Sequence, residues 1–295
     1  MTPPPLGLIS RSLRHAAAVL LLLAAAIASV RAAPPHAFFA MDNIARGGPD
    51  VAPALLKELG YAGYGGRAFD EIMPPAVAAA GLTFFNGYGV LSFAPAAPAP
   101  DEKLRRWLDA MAGRGTVLWL AIQHVTKPDG ARFPLSDAAA DEFVAGQVRA
   151  IADYARRGGT TVALYPHTGF WLARVEDALR LAERLDRPDV GVTFNLCHWL
   201  KVEGSERDPA PVLRAALPRL KFVTINGADT GATKTFGWDR LIQPLDRGSY
   251  DVPGFVRLLG KVGYTGPVGF QGYGIKEEPR AVLARTMAAW RAIVP

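Results

Sequence analysis

One cysteine, Cys197, stands in 295 residues, so no internal disulfide can staple the fold. It reads as a small buried hydrophobe, and stability has to come from a large apolar core. The first strand-like run is not followed by a glycine-rich phosphate loop, which argues against a nucleotide-binding open sheet. The sequence shows no Lys/Arg cluster or glycine-rich anion nest, so a phosphorylated substrate is not expected. No linker, repeat or low-complexity stretch splits the chain. The nearest candidate, APAAPAP at 94–100, reads as a stiff loop. Nor is any apolar run as long as the roughly 20 residues that cross a bilayer.

The shorter apolar run that is present, Ala16–Ser29, follows Arg11 and Arg14 and precedes Val30-Arg31-Ala32. Basic, apolar and small-residue regions in that order are the pattern of a secretory signal. Residues 1–32 are therefore expected to be a signal peptide, with an uncleaved anchor as the alternative, and residues 33–295 to be one exported domain, periplasmic or secreted. Three of the 33 basic residues lie in that segment (Arg11, Arg14, Arg31) and none of the 27 acids does, which leaves a surplus of 3. So weak a charge argues against nucleic acid and against stable association with an anionic membrane surface.

Beyond the signal, strand-like and helix-like patterns alternate to the end. Short apolar runs occur at 36–41, 61–65, 82–88, 116–122, 160–165, 190–195, 220–226 and 266–272. Amphipathic stretches such as DEKLRRWLDAMAGRG and RVEDALRLAERL separate them, and Ile72–Ala80 is a weak helix with Pro74 and Pro75 in its first turn. Eight such units predict a single-domain (β/α)8 barrel, with a doubly wound open sheet as the alternative.

The active site of such a barrel lies at the C-terminal strand ends. The first delivers Asp42 and Asn43; the second, Arg67; the third, Asn86 and Tyr88; the fourth, Gln123 and His124. The fifth delivers Tyr165 and His167; the sixth, Asn195, His198 and Trp199; the seventh, Asn226 and Asp229; the eighth, Gln271 and Tyr273. Three histidines of the four outside the signal fall at strand ends, and only His36 does not. The acid–base candidates are His124, His167 and His198, with Tyr165 and Lys201 as donors to a developing oxyanion. The candidate sugar contacts are Asp42, Asn43, Arg67, Asn86, Gln123, Asn195, Trp199, Asn226, Asp229, Gln271 and Tyr273. Each has a bland reading as well: a histidine or asparagine near a strand end can cap backbone, Trp171 and Trp199 can simply cover the barrel mouth, and Arg247 can pair with Asp246 or Asp251.

The segments VALYPHTGF, DVGVTFNLCHWL, FVTINGAD and VGFQGYG resemble the fifth to eighth strands of the xylose isomerase-like barrels, a superfamily of sugar isomerases, sugar phosphate epimerases and endonuclease IV. The resemblance covers the chain from about residue 36. It implies a divalent metal held by Glu-x-His on the fifth strand, Asp-x-x-His on the sixth, a histidine on the seventh and a glutamate on the eighth. Here those metal positions are Tyr165, Asn195, Asn226 and Gln271, while His167 and His198 keep their spacing. Neutral groups hold a hard cation weakly, so no metal ligand is assigned and no cofactor is expected. The alternative is a relocated site on His124, His167, His198 and Asp229. The resemblance thus implies an exported sugar isomerase or epimerase-like enzyme acting on a free sugar or keto-sugar by acid–base enolisation. Keto-sugar lyase or hydratase chemistry and an inactive sugar- or protein-binding barrel are the alternatives. A DNA-repair nuclease would need a multi-metal cluster that these residues do not supply.

Overall fold

The computed structural model describes residues 36–294 except Pro98, so the expected signal segment lies outside the described residues. Eight parallel strands close into a barrel in sequence order: β1 (Phe38–Met41), β2 (Gly63–Arg67), β3 (Thr83–Phe93), β4 (Val117–Val125), β5 (Thr161–Leu164), β6 (Val190–Asn195), β7 (Leu220–Ile225) and β8 (Val268–Phe270). β1 pairs with both β2 and β8, which closes the ring. Strands buried on both faces read as continuous apolar runs, because one face fills the lumen and the other meets the helices. Phe39, Met41, Val117, Trp119, Ala121, Ala163, Tyr165 and Phe222 share one packed cluster, and in β1, β4 and β5 its members fall on alternate residues, as a lumen face requires. The outer helices are stopped and started by local chemistry. Asp101 caps Glu102–Ala110 by accepting from the Leu104 amide at 2.8 Å, and Asp251 caps Val252–Lys261 through the Gly254 amide.

Three elements depart most from the sequence reading. β3 and β4 run to Phe93 and Val125 rather than 88 and 122, because Gly89–Phe93 and Leu120–Val125 continue to pair beyond the barrel as a ribbon. Phe93 and Val125 bury the end of that ribbon. After β6 the chain does not loop: the helix Leu196–Glu203 begins at once, with Asn195 as its N-cap.

The lumen is tight at Gly65. A Cβ there would lie 2.5 Å from Met41 Sδ, 2.6 Å from Asn86 Oδ1 and 2.9 Å from the Phe39 ring. Gly65→Ala is therefore expected to cost about 1–3 kcal/mol by overpacking, seen as a lower midpoint in thermal or urea unfolding. A midpoint equal to wild type would mean that the lumen yields freely at this layer.

Candidate active site

A cavity of about 520 Å³ opens at the C-terminal end of the barrel. The strand ends supply its Asp42, Asn43, Arg67, Tyr88, Tyr165, His167, His198, Gln271 and Tyr273, all of them expected. The first strand end is held by paired groups. Asp42 accepts from Arg67 Nε at 2.8 Å, and burial raises its carboxyl pKa while Arg67 works against that shift. Asn43 donates to Gln271 Oε1 and accepts from the Gly272 amide at 3.0 Å. Because its oxygen is engaged, the Gln271 Nε2 protons are the part of that amide left for a ligand.

Tyr165 and Trp119 stack at 3.8 Å to form the floor, and Trp119 Nε1 is fixed by Thr193 Oγ1 at 2.8 Å. The buried Tyr165 hydroxyl accepts from Asn195 Nδ2 at 3.1 Å, so its own proton is the group it offers to the cavity. Burial pushes its pKa well above the ordinary phenol value, so it stays protonated and acts as a donor.

The two histidines lie with ring centroids 4.0 Å apart, among Tyr165, Phe170 and Trp238. Thr168 contacts both rings and fixes their tautomers. His167 Nδ1 lies 2.9 Å from the Thr168 carbonyl oxygen, which can only accept, so Nδ1 carries the proton and Nε2 is the free base. His198 Nδ1 receives the Thr168 amide at 3.3 Å and its hydroxyl at 3.1 Å, so Nδ1 accepts and Nε2 carries the proton. Burial lowers the His167 pKa to about 4 and holds that of His198 well below the usual imidazole range, with His167 adding to the second shift. At neutral pH the pair is uncharged and of opposite polarity: one imidazole ready to take a proton, one ready to give it.

Asn195 explains why an amide occupies this strand end. Its Oδ1 accepts from the His198 amide at 3.2 Å and from Cys197 Sγ, and its Nδ2 orients Tyr165. A carboxylate could fill only the accepting half of that role. Asn195→Asp is expected to take the Tyr165 proton for itself and to lower any turnover that uses Tyr165 as an oxyanion donor about 10- to 100-fold. Turnover unchanged in a folded Asn195→Asp protein would remove Tyr165 from the mechanism.

Several expected site residues lie elsewhere. Asn86 is buried inside the barrel with its amide unpaired, because β3 runs on past it and its true end is Phe93. Gln123 and His124 belong to the β3–β4 ribbon, where His124 sits opposite Ser92, and neither lines the cavity. Trp199 is buried against Phe194 beneath Arg207, since the helix after β6 turns it away from the mouth. The same helix directs Lys201 Nζ to the Phe236 carbonyl at 2.7 Å. Asn226 donates to the Gly227 and Leu241 carbonyls, tying down the segment after β7. Asp229 pairs with Arg240. Asn195 orients Tyr165 from behind rather than lining the cavity. Trp171 is buried, and Arg247 pairs with Glu277, not with Asp246 or Asp251.

The cavity also uses residues that the strand-end reading passed over: Met41, Ala68, Phe69, Val90, Trp119, Trp238 and Ile242. Alternation along VLWLAI was the available signal for Trp119, since it shares the lumen face with Val117 and Ala121. Trp238 comes from the short helix Trp238–Leu241, which no periodicity marks.

A divalent metal at the four strand-end positions does not fit these side chains. The Asn195 and Gln271 oxygens are engaged with protein donors, which leaves only the buried, unpartnered Asn226 Oδ1 as an open acceptor, and none of the four positions carries a charge. The relocated set is not assembled either: among the described residues, no three His, Cys, Asp or Glu side chains converge.

Comparison with known proteins agrees with this architecture. Residues 76–293 match the family described as xylose isomerase-like TIM barrel. A ketose 3-epimerase of Arthrobacter globiformis is 28% identical over 223 residues, covering 72% of this chain and 69% of its own. The solved 3-keto-D-glucoside 4-epimerase YcjR of E. coli superposes with a TM-score of 0.62 at 19% identity, covering 86% of this chain and 98% of its own. The IOLI protein, solved with a zinc atom, superposes at 0.69 with 12% identity, over 87% of this chain and 97% of its own.

Proposed function

This chain belongs to the xylose isomerase-like TIM barrel family, and within it we propose that it is an exported epimerase or isomerase of a free sugar or keto-sugar that works by acid–base enolisation without a metal. The observation that carries this reading is the placement of Thr168 between the rings, its carbonyl at His167 Nδ1 and its N–H and hydroxyl at His198 Nδ1, which favours opposite tautomers. His167 Nε2 removes the proton from the carbon beside the substrate carbonyl. The C–H electrons form the enolate double bond, and the carbonyl π electrons move to its oxygen. Tyr165 Oη–H and Gln271 Nε2–H stand ready to donate to that oxygen, which supplies the stabilisation that the family's metal would otherwise give. His198 Nε2–H returns a proton to the opposite face or to the neighbouring carbon, and the imidazolate this leaves takes a proton from the His167 imidazolium, whose ring centroid lies 4.0 Å away, which restores both neutral rings; the reverse reaction runs through the same ion pair. Similarity to a ketose 3-epimerase supports the substrate class. Export rests on the segment before residue 33.

The test is hydrogen exchange. Purified protein treated with EDTA is incubated with D-fructose, D-allulose and a 3-keto-glucoside in D2O, and deuterium at the carbon next to the carbonyl is followed by NMR. Incorporation together with a new epimer is expected for at least one substrate. Exchange that appears only after a divalent metal is added would overturn the metal-free mechanism. Saccharide binding without exchange would instead indicate a binding barrel.

A further inference from the structure

We propose that the cavity carries an outer subsite for a second sugar ring, so that the substrate is a disaccharide or other glycoside rather than a lone monosaccharide; this rests on the sugar-site reading above. Burial divides the cavity in two. Trp119, Tyr165, His198 and Gln271 line its depth and are 1–8% exposed, whereas Val90 and Tyr273 at its mouth are 37% and 57% exposed. The reactive groups are therefore confined to the inner part. The full volume of about 520 Å³ exceeds what the dozen or so heavy atoms of one hexose fill, and falls in the roughly 300–1,000 Å³ range of sites for larger ligands.

The outer part presents aromatic rings and hydrogen-bond donors. Phe69 holds a φ of 72°, a left-handed backbone that a bulky side chain adopts only under constraint, and Lys103 Nζ sits 4.4 Å from its ring centroid. A residue held against its backbone preference at the lip of a cavity is placed there by the surrounding structure. With the exposed Tyr273 ring it gives the mouth two aromatic side chains, and the C–H face of a pyranose packs on such rings while its hydroxyls stay in water. Arg67, whose side chain is 75% exposed but anchored on Asp42, stands at the same mouth as a hydrogen-bond donor for those hydroxyls. An exposed aromatic and a strained one, continuous with a reactive pocket, mark where the remainder of a longer substrate rests.

The measurement is calorimetric titration of the purified protein with methyl α- and β-glucopyranoside, maltose and cellobiose. At least one disaccharide is expected to bind about tenfold tighter than the methyl glycoside of its own first ring. Phe69→Gly, which relaxes the backbone because glycine takes this φ freely, is expected to bring that ratio to within about twofold. Leu135→Ala, at an exposed residue that does not line the cavity, is expected to leave the ratio as it was. Should Phe69→Gly melt early, Tyr273→Ala reads the same ratio. Monosaccharide and disaccharide of equal affinity, or a ratio that survives these substitutions, would overturn the outer subsite alone. If none of these glucosides binds while a ketose is turned over, the outer subsite alone falls; if no ketose is bound or exchanged either, the sugar-site reading falls and the subsite with it.

Discussion

His198→Ala is expected to lower turnover about 10²- to 10⁴-fold, the range typical of losing one positioned proton-transfer group. The substitution removes the ring whose Nε2 proton faces the cavity and leaves the Thr168 amide and hydroxyl without their acceptor. His167→Ala removes the matching base, and the double variant is expected to be scarcely slower than either single one, because neither half of an acid–base pair works alone. Thr168→Val separates chemistry from packing. It keeps the backbone carbonyl on His167 but deletes the hydroxyl on His198, so nitrogen NMR of the imidazoles is expected to show a changed tautomer population at His198 only. The checks are steady-state rates on a responsive ketose, with circular dichroism to confirm the fold. Single-variant rates near wild type would refute the two-histidine mechanism.

The second large effect is acid destabilisation. His167 has a pKa of about 4 in the folded protein and about 6.5 in an unfolded chain, so between those values the unfolded state binds the extra proton. Stability is therefore fully present above about pH 6.5 and declines as pH falls towards 4, by about 3 kcal/mol from His167. His198 acts in the same sense, being buried and lowered by desolvation and by its neighbour. Asp42, whose pKa is raised by burial, acts oppositely and in the carboxylate range just above its ordinary value of 3.8. Urea unfolding at steps from pH 4.5 to 7.5 is expected to show the folding free energy falling on the acid side, and His167→Gln to flatten much of that slope. A wild-type curve that is level across this range would show that the histidines are not buried as neutral groups. The same protonation is expected to end proton abstraction, so activity and stability should fail together in acid.

The barrel was legible in the sequence because it depends on pattern. Runs such as VGVTFN are apolar on both faces, and only a parallel strand between a packed lumen and a helix layer buries both. β6 matches its expected span residue for residue, while β3 runs five residues past the expected end at 88, to Phe93. His167, His198, Tyr165 and the Asn43–Gln271 pair were legible as strand-end residues, since a closed barrel brings all such ends to one mouth. Which way each of these side chains turns was not. Asn195, Trp199 and Lys201 follow one another closely after β6, yet the helix that starts at Leu196 sends one to orient Tyr165, one into the core and one to a backbone carbonyl. Local sequence fixes the spacing of residues, whereas direction depends on the helix phase at which the chain leaves the barrel. The tautomers of the two histidines lie further still from the sequence. They are set by one threonine whose carbonyl faces one ring and whose N–H and hydroxyl face the other. Only the tertiary structure could decide that, because a neutral imidazole takes its polarity from the hydrogen bond its other nitrogen makes.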